Sequence, residues 1–379
     1  MEKVLLTTVF SGYNYGSSLQ ALATKTILKE LGYDCRLVAM KSLVKGRDIR
    51  IKKLMTILIR SWLIRGKNGT NALSTYKGSY NKVMIGDSVT RFEKFTNEYL
   101  EPQYLSWNSM KRLAKECVAC FAGSDQIWNS STMYVDPMYY LRFAPAEKRI
   151  AFAPSFGRDF VAEYNKKKMS KWISDFAYLS VREDSGVRLI KELTGRDAIH
   201  LIDPTLMVKR ETWKNTLNLQ DKQENYILTY FLDKPSESAR KAIAELKETL
   251  KCEVIAIPYQ FDDMSYCDKV VPTGPIEFLD LINNAKCVLT DSFHGTAFSI
   301  NLHTPFYVFG RNYGTAHSQN SRIESILKMM NMQDRFEQKD IVGQLKAINF
   351  EVSEQILSDE RNKSRNYIIN TINGRNCKK

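Results

Sequence analysis

The sequence lacks an apolar run of about 20 residues, the length that a membrane-spanning helix needs. A short apolar run at residues 4–10 follows Glu2 and Lys3 without a small-residue cleavage site, so no secretory signal is predicted. The seven cysteines are odd in number and scattered, which is typical of reduced thiols in a cytosolic protein. We therefore expect a cytoplasmic protein without a disulfide framework.

Two familiar cofactor signatures are also missing. Cys117 and Cys120 form a C-x-x-C, but it lies in an apolar segment with no second pair or histidine cluster nearby. We interpret it as part of a strand in the core and predict no metal site. The loop at residues 10–16 contains glycines but no G-x-G-x-x-G, so dinucleotide binding is not supported and no cofactor is expected.

The 379 residues are too many for one ordinary core, which predicts two domains. The formal net charge is +13, and residues 41–67 alone carry nine basic residues and one acidic residue, a net charge of +8. Such a local excess argues against a nucleic-acid surface covering the whole protein. Residues 49–64 have the pattern of a basic amphipathic helix, which can lie on an anionic membrane or pack its apolar face on its own domain.

The N-terminal pattern is a strand, a loop, a helix and a second strand, as in doubly wound α/β proteins. The loop and the helix start contain Asn14, Gly16 and Gln20, which are polar or conformationally permissive. They are candidates for lining a ligand site, and a capped helix start is an equally good interpretation.

A buried strand at residues 117–122 runs into a polar segment that contains Asp125, Gln126, Trp128 and Asn129. An aromatic ring beside amides and a carboxylate is suited to a sugar, because the ring covers an apolar face and the amides bind hydroxyls. The alternative is a rigid structural turn.

The segment at residues 286–300 has the pattern of a buried strand, a tight polar turn and a helix. Ligands of open α/β sheets bind beyond the carboxyl ends of the strands, where the following helix favours an anion. Ser292, His294 and Gly295 stand there, and the alternative is a histidine that only stabilises the turn. Arg182 ends another strand and Arg322 begins a helix, so both are candidates for binding a carboxylate or phosphate.

Several separated motifs together resemble the polysaccharide pyruvyltransferase family. They are residues 14–20, residues 123–129, Ser180 to Glu183 with Ser185, Asp203-Pro204-Thr205, residues 290–300 with Pro305-Phe306, and Ser321-Arg322. The resemblance implies two Rossmann-like domains with parallel sheets facing a cleft, as in glycosyltransferase-B proteins. Placed on this chain, it implies an acceptor-side domain at 1–205, a donor-side domain at 206–345 and a helical segment at 346–379 that packs back across the junction.

The family transfers the enolpyruvyl group of phosphoenolpyruvate (PEP) to a sugar, so the resemblance implies PEP as co-substrate and a sugar or lipid-linked glycan as acceptor. His294 would be the acid/base, and Asp125 would orient or deprotonate the acceptor. Characterised members often carry Arg-Leu-His where this chain has Ser292, Phe293 and His294. Arg182 and Arg322 would hold the donor, with Ser292 and Gly295 assisting.

Two other functions fit the same residues. A glycosyltransferase that uses a nucleotide-sugar would share the fold and the anion-binding second domain. A non-catalytic protein that binds an anionic glycan or a membrane surface would need only the charge and the cleft.

Overall fold

The computed structural model describes residues 1–43, 49–65, 85–222, 224–258, 264–311, 320–338, 340–345 and 348–374. Contacts divide the chain into two compact units. Unit 1 comprises residues 1–80, 96–207 and 360–379, and unit 2 comprises residues 81–95 and 208–359. Both units draw on separated segments, whereas the domains predicted from the sequence follow chain order.

Unit 1 is built from alternating strands and helices. Its strands are β1 (Glu2–Thr7), β2 (Tyr33–Met40), β3 (Gln103–Leu105), β4 (Ala119–Ala122), β5 (Arg149–Ala151), β6 (Ser180–Val181) and β7 (Ile199–His200). Its helices are α1 (Tyr15–Glu30), α2 (Ile51–Arg65), α4 (Trp107–Glu116), α5 (Glu163–Ser174), α6 (Asp184–Thr194) and α7 (Pro204–Met207). A π-helical turn spans Thr96–Leu100 and a 3-10 turn spans Ala146–Lys148.

Unit 2 repeats this alternation. Its strands are β8 (Tyr226–Tyr230), β9 (Glu253–Ala256), β10 (Lys269–Val270), β11 (Cys287–Thr290) and β12 (Phe306–Val308). Its helices are α3 (Ser88–Phe95), α8 (Arg210–Leu217), α9 (Glu237–Leu250), α10 (Pro275–Asn284), α11 (Phe293–Leu302), α12 (Ser321–Met329) and α13 (Ile341–Leu345), with a 3-10 turn at Gln333–Arg335. The last helix, α14 (Glu351–Asn373), contributes residues to both units.

The main sheets of the two units have the same topology. The strand order is β3-β2-β1-β4-β5 in unit 1 and β10-β9-β8-β11-β12 in unit 2, and all of these pairings are parallel. In each unit the order reverses beside the first strand, which creates a switch point of the kind where α/β proteins bind ligands. The predicted fold class, α/β with Rossmann-like parallel sheets, is therefore confirmed.

The loops beside the switch points are the candidates for ligand binding. In unit 1 they are the loops after β1 and β4, and in unit 2 the loops after β8 and β11. The sheets between them are apolar and covered on both faces, as parallel sheets require, because every residue of β4, β8 and β11 is buried. Cys120 lies on β4 within this core, and Cys117 is buried just before it.

Within the described ranges, no helix combines the length and the apolar character needed to cross a bilayer.

Candidate functional site

In unit 1, the loop after β1 leads into a capped helix. The Asn14 side chain accepts a hydrogen bond from the backbone N–H of Ser17 at 3.0 Å, which makes Asn14 the N-cap of α1. Gly16 is buried in the first turn. Both residues thus build the helix start, one of the two interpretations that the sequence allowed.

Gln20 joins the two strand ends of this switch point. Its amide nitrogen donates to the Thr8 hydroxyl at 2.8 Å and to the Val9 carbonyl at 2.7 Å. Its amide oxygen accepts from the backbone N–H of Ser124 at 3.1 Å. Gln20 had been predicted as a candidate for lining the ligand site. The structure buries its side chain fully, so it belongs to the framework that holds the two loops together.

Asp125 is held in a left-handed backbone conformation, with φ at 60°. The Ser17 hydroxyl donates to Asp125 Oδ2 at 2.5 Å, which links the start of α1 to the loop after β4. The carboxylate lies next to the Arg182 guanidinium, whose Nη2 is 4.0 Å from Oδ1. Asp125 is therefore positioned from both sides, and 7% of its surface remains exposed.

Arg182 lies among three carboxylates. Its guanidinium donates to Asp203 through Nη1 and to Glu183 through Nε at 3.3 Å, and Asp125 is the third neighbour. Burial acts to lower the pKa of Arg182, but the three carboxylates together raise it by more than burial lowers it. The net shift is upward, so the guanidinium stays charged. Three negative groups around one positive group make a poor site for a phosphate or carboxylate. This arrangement differs from the predicted anion clamp.

Asp203 completes this cluster. Its Oδ1 accepts from the backbone N–H of Thr205 at 2.9 Å and from the Thr205 hydroxyl at 2.7 Å. Its Oδ2 accepts from the Ser124 hydroxyl at 3.3 Å as well as from Arg182. The motif Asp203-Pro204-Thr205 was visible in the sequence, but its contact with Arg182 was not.

Trp128 does not line a binding surface. The indole is fully buried and stacks on Tyr140, with ring centroids 5.7 Å apart and an interplanar angle of 13°. Its N–H donates to the Tyr139 carbonyl at 3.2 Å. The face that was predicted to cover a sugar packs in the core of unit 1 instead. Gln126 and Asn129 are half-buried, and the Asn129 amide donates to Gln126 Oε1 at 3.1 Å.

In unit 2, the loop after β11 forms the N-cap of α11. The Ser292 hydroxyl accepts from the backbone N–H of Gly295 at 3.3 Å. His294 is the second residue of the helix and 8% of its surface is exposed; its ring meets the Phe293 ring edge-on at 5.2 Å. The backbone N–H groups and the dipole of this helix start favour an anion.

Asp291 connects the two strand ends of this second switch point. It accepts backbone hydrogen bonds from Leu232 at 2.6 Å and Asp233 at 2.9 Å, both in the loop after β8. Arg311, which follows β12, donates through Nε to the Asp291 carbonyl at 2.8 Å and lies 3.3 Å from Asp291 Oδ2. Burial raises the pKa of Asp291 to about 6, although Arg311 and the two backbone N–H groups act to lower it.

Arg311 is the residue of this site that sequence reasoning missed. It is buried and contacts Asp291, the residue before Ser292. The available signal was its place just after the β12 strand, at the same carboxyl edge of the sheet as the β11 loop. Arg322, which had been predicted, is also buried and is the second residue of α12.

The Asp291 carboxylate should leave a measurable trace in the pH dependence of stability. The pKa of Asp291 is higher in the folded protein than the ordinary value of 3.8, so the protonated carboxyl stabilises the folded state. This contribution is fully present below about pH 4. That contribution is lost as the pH rises through about 6, and it amounts to no more than about 3 kcal/mol. We expect Asp291→Asn to flatten the decline of stability between these values, measured by urea unfolding at several pH values.

The control for this experiment is Asp359→Asn, which removes an exposed carboxylate from α14. It should keep the pH slope of the parent protein. Equal slopes for Asp291→Asn and the parent would show that Asp291 does not titrate in this range.

Gly295 is explained by packing between a helix and a strand. A Cβ atom at this position would lie 2.6 Å from Thr290 Oγ1 and 3.2 Å from Thr290 Cβ. Thr290 cannot easily move, because its hydroxyl donates to the Tyr230 carbonyl at 2.6 Å and accepts from the Ser292 N–H at 3.0 Å. Gly295 therefore lets α11 lie directly on β11.

We expect Gly295→Ala to lower the free energy of unfolding by about 1–3 kcal/mol, the usual cost of overpacking. Chemical denaturation of Gly295→Ala, Thr290→Ala and the double variant forms a double-mutant cycle. The double variant should be less destabilised than the sum of the two single variants, because the second change removes the atom that clashes. Strictly additive values would mean that the clash is relieved elsewhere.

Comparison with known proteins assigns the chain that carries these two switch points to a family. The family model for polysaccharide pyruvyl transferases matches residues 14–313. The chain belongs to the polysaccharide pyruvyl transferase family. The match begins at Asn14, the N-cap of α1, and includes the loops after β4, β8 and β11.

The individual proteins that the chain resembles have low sequence identity to it. General stress protein 30 of Bacillus subtilis is 27% identical over 277 residues, which is 66% of this chain and 77% of that protein. Among solved structures, a putative UDP-N-acetylglucosamine 2-epimerase from Listeria monocytogenes superposes with a TM-score of 0.51 at 12% identity, covering 100% of this chain and 97% of that one. The UDP-GlcNAc 2-epimerase from Neisseria meningitidis has a TM-score of 0.48 at 11% identity, with coverage of 98% and 99%. The similarity to the Listeria structure shows that the present chain has a glycosyltransferase-B-like fold.

Proposed function

We propose that the protein transfers the enolpyruvyl group of PEP to a sugar of a cell-surface polysaccharide or its lipid-linked precursor and forms a pyruvate ketal. The observation that carries this proposal is the start of α11, where His294 lies in the first turn of a helix whose N-terminus favours an anion. The family match over residues 14–313 supports the same reaction class.

PEP would be the ligand of unit 2. It carries a phosphate and a carboxylate, which are bound best by guanidinium groups and by N–H groups at a helix start. Unit 2 offers the first turn of α11 together with the buried residues Arg311 and Arg322. We assign Arg311 to this site in addition to the residues predicted from the sequence, because its guanidinium lies against the β11 loop.

The reaction needs a proton donor at neutral pH, and histidine has a suitable ordinary pKa. His294 would protonate the methylene carbon of PEP, which leaves positive charge at C2. One sugar hydroxyl then forms a C–O bond to C2 and loses its proton. The C2–O bond to phosphate breaks with its electron pair on the departing phosphate, and a second hydroxyl of the same sugar closes the ketal and loses its proton.

The acceptor would be the ligand of unit 1. Asp125 is held by Ser17 and Arg182 with part of its surface exposed, a good arrangement for orienting or deprotonating a hydroxyl. Gln126 and Asn129 follow Asp125 closely in the sequence, and their half-buried amides are suited to binding hydroxyl groups. The negative excess around Arg182 favours a neutral sugar here over PEP.

The test is turnover with purified protein. Incubation with PEP and a panel of sugar acceptors should release inorganic phosphate only when an acceptor is present, and the ketal methyl group should appear by NMR. A parallel panel of nucleotide-sugars tests the alternative reaction. Consumption of a nucleotide-sugar, with PEP left intact, would replace the proposal by a glycosyltransferase, and binding of glycan with no turnover of either donor would point to a non-catalytic protein.

A further inference from the structure

Helix α2 presents apolar side chains to solvent. Its large exposed residues, with fractional exposures between 45% and 67%, are Ile51, Met55, Ile59, Trp62, Leu63 and Ile64. The first five recur at spacings of three and four residues, so they form one stripe along the helix. We call these five side chains the α2 stripe. Leu43 and Tyr164 are exposed as well, at 66% and 36%.

The opposite side of α2 is attached to unit 1 by polar contacts. Arg50, just before the helix, pairs with the buried Asp136. Arg60 donates to Asn165 Oδ1 at 3.1 Å and to the Met133 carbonyl at 3.3 Å, and Ser61 is buried. Leu54, Ile57 and Leu58 are half-buried, so α2 packs only part of its apolar surface on its own domain. The helix is held by the side that carries Arg60 and Ser61, and the stripe faces outward.

Cations are exposed on α2 and on the neighbouring helix α5. Lys52 is exposed on α2, and α5 contributes the exposed side chains of Lys167 and Lys171 and of Lys166, which pairs with Glu163 at 2.7 Å. The two helices are close, because the Arg60 guanidinium lies 6.0 Å from the centre of the Tyr164 ring on α5. Burial is the main cause that lowers the pKa of Lys168; the positive charges of Arg60 and Lys52 also lower it, and the Asp136 carboxylate opposes them. Of the other basic residues between 41 and 67, Lys45, Arg47 and Lys67 lie outside the described residues.

We propose that α2 is an interfacial helix that inserts the α2 stripe into the surface of a bilayer with anionic headgroups. An apolar stripe with a tryptophan, on a helix that carries Lys52 and lies beside the lysines of α5, matches the chemistry of helices that lie in the plane of a membrane. A second copy of the chain fits less well, because a symmetric contact through this face would bring the positive charges of Lys52, Lys167 and Lys171 of both copies together. The proposal does not depend on the reaction assigned above.

The experiment is sedimentation of the full chain with vesicles of phosphatidylcholine alone or mixed equally with phosphatidylglycerol. We expect binding to the anionic vesicles that weakens at high salt, since salt screens the lysines. Ile59→Glu should reduce the partition coefficient about tenfold or more, because it removes one inserted side chain and adds a charge at the interface. Lys167→Gln with Lys171→Gln should reduce it by roughly fivefold per lysine.

Ile199→Glu is the matched control. It makes the same change at an isoleucine of β7 that is 46% exposed, against 53% for Ile59, and should bind vesicles like the parent. Quenching of Trp62 fluorescence by brominated lipids tests insertion in the unmodified chain, so the result does not depend on a variant folding. Trp62 is 60% exposed, Trp107 and Trp172 are half-buried, and Trp128 and Trp213 are at most 1% exposed. Loss of the quenching in Trp62→Phe would assign the signal to Trp62.

Several results would overturn the proposal. They are no affinity of the parent for anionic vesicles, equal losses for Ile59→Glu and Ile199→Glu, and vesicle binding without quenching of Trp62. If the parent protein does not bind vesicles but forms a dimer that Ile59→Glu dissociates, the stripe is a self-association surface instead.

Discussion

The His294→Gln variant is expected to fold and to bind PEP, yet to turn over roughly 10²–10⁴-fold more slowly, the usual contribution of a positioned acid or base. Glutamine is close to histidine in size and keeps a hydrogen-bonding group, but it cannot exchange a proton near neutral pH. The measurements are kcat and KM for PEP, the melting temperature and the pH profile of kcat. One limb of that profile should disappear with the imidazole.

His303→Gln is the control for this prediction. His303 lies at the other end of the same helix, where it is the C-cap of α11, stacks on Phe350 and pairs with Glu354 at 3.4 Å. Its substitution should change stability modestly and leave kcat and its pH profile unaltered. A near-normal rate for His294→Gln would instead make His294 a residue that only stabilises the turn. If glutamine prevents folding, His294→Asn provides the same comparison.

The pattern around His294 shows why the fold could be predicted from the sequence. Uninterrupted apolar residues in β11, a polar turn and a helix that ends before Pro305 are local signals, and the structure contains that strand and that helix. The helix begins at Phe293, directly after Ser292, which caps it. Helix boundaries depend on capping, which the apolar pattern alone does not resolve.

The side chains of the unit 1 site were harder to predict because their partners are distant in the sequence. Gln20 and Trp128 have the residue types of a sugar site at the right strand ends. However, Gln20 bonds to a backbone group 104 residues away, and Trp128 packs against rings from three other segments. Pairings of this kind arise from the tertiary fold, so one sequence without its structure could not separate them from Asp125.

Helix α2 shows a different limit. The spacing of its apolar residues is the same whether the stripe faces the core or solvent, so periodicity predicted the helix and left its orientation open. The contacts of Arg50 and Arg60 decide the orientation, and they join α2 to residues between 133 and 165. Similarly, no local pattern indicated that residues 81–95 belong with unit 2.

Arg182→Met is expected to destabilise unit 1 by about 3–5 kcal/mol, because it leaves a buried carboxylate cluster without its cation. The guanidinium side chain is 2% exposed and is the group that Asp203 and Glu183 both contact. In a domain of this size, the loss should lower the melting temperature by roughly 10 °C. Arg182→Lys should fall between the parent and Arg182→Met, since an ammonium cannot make the separate planar contacts of a guanidinium.

The control is Arg188→Met on the neighbouring helix α6, where the side chain is exposed. Its effect should stay within about 0.5 kcal/mol. Adding Asp203→Asn to Arg182→Met should recover part of the stability, because it removes one of the unpaired charges. The KM of Arg182→Lys for PEP distinguishes this role from the clamp that the sequence predicted. A raised KM with an unchanged melting temperature would return Arg182 to the donor site, whereas a lowered melting temperature with an unchanged KM would identify it as the cation that holds Asp125 and Asp203 in place.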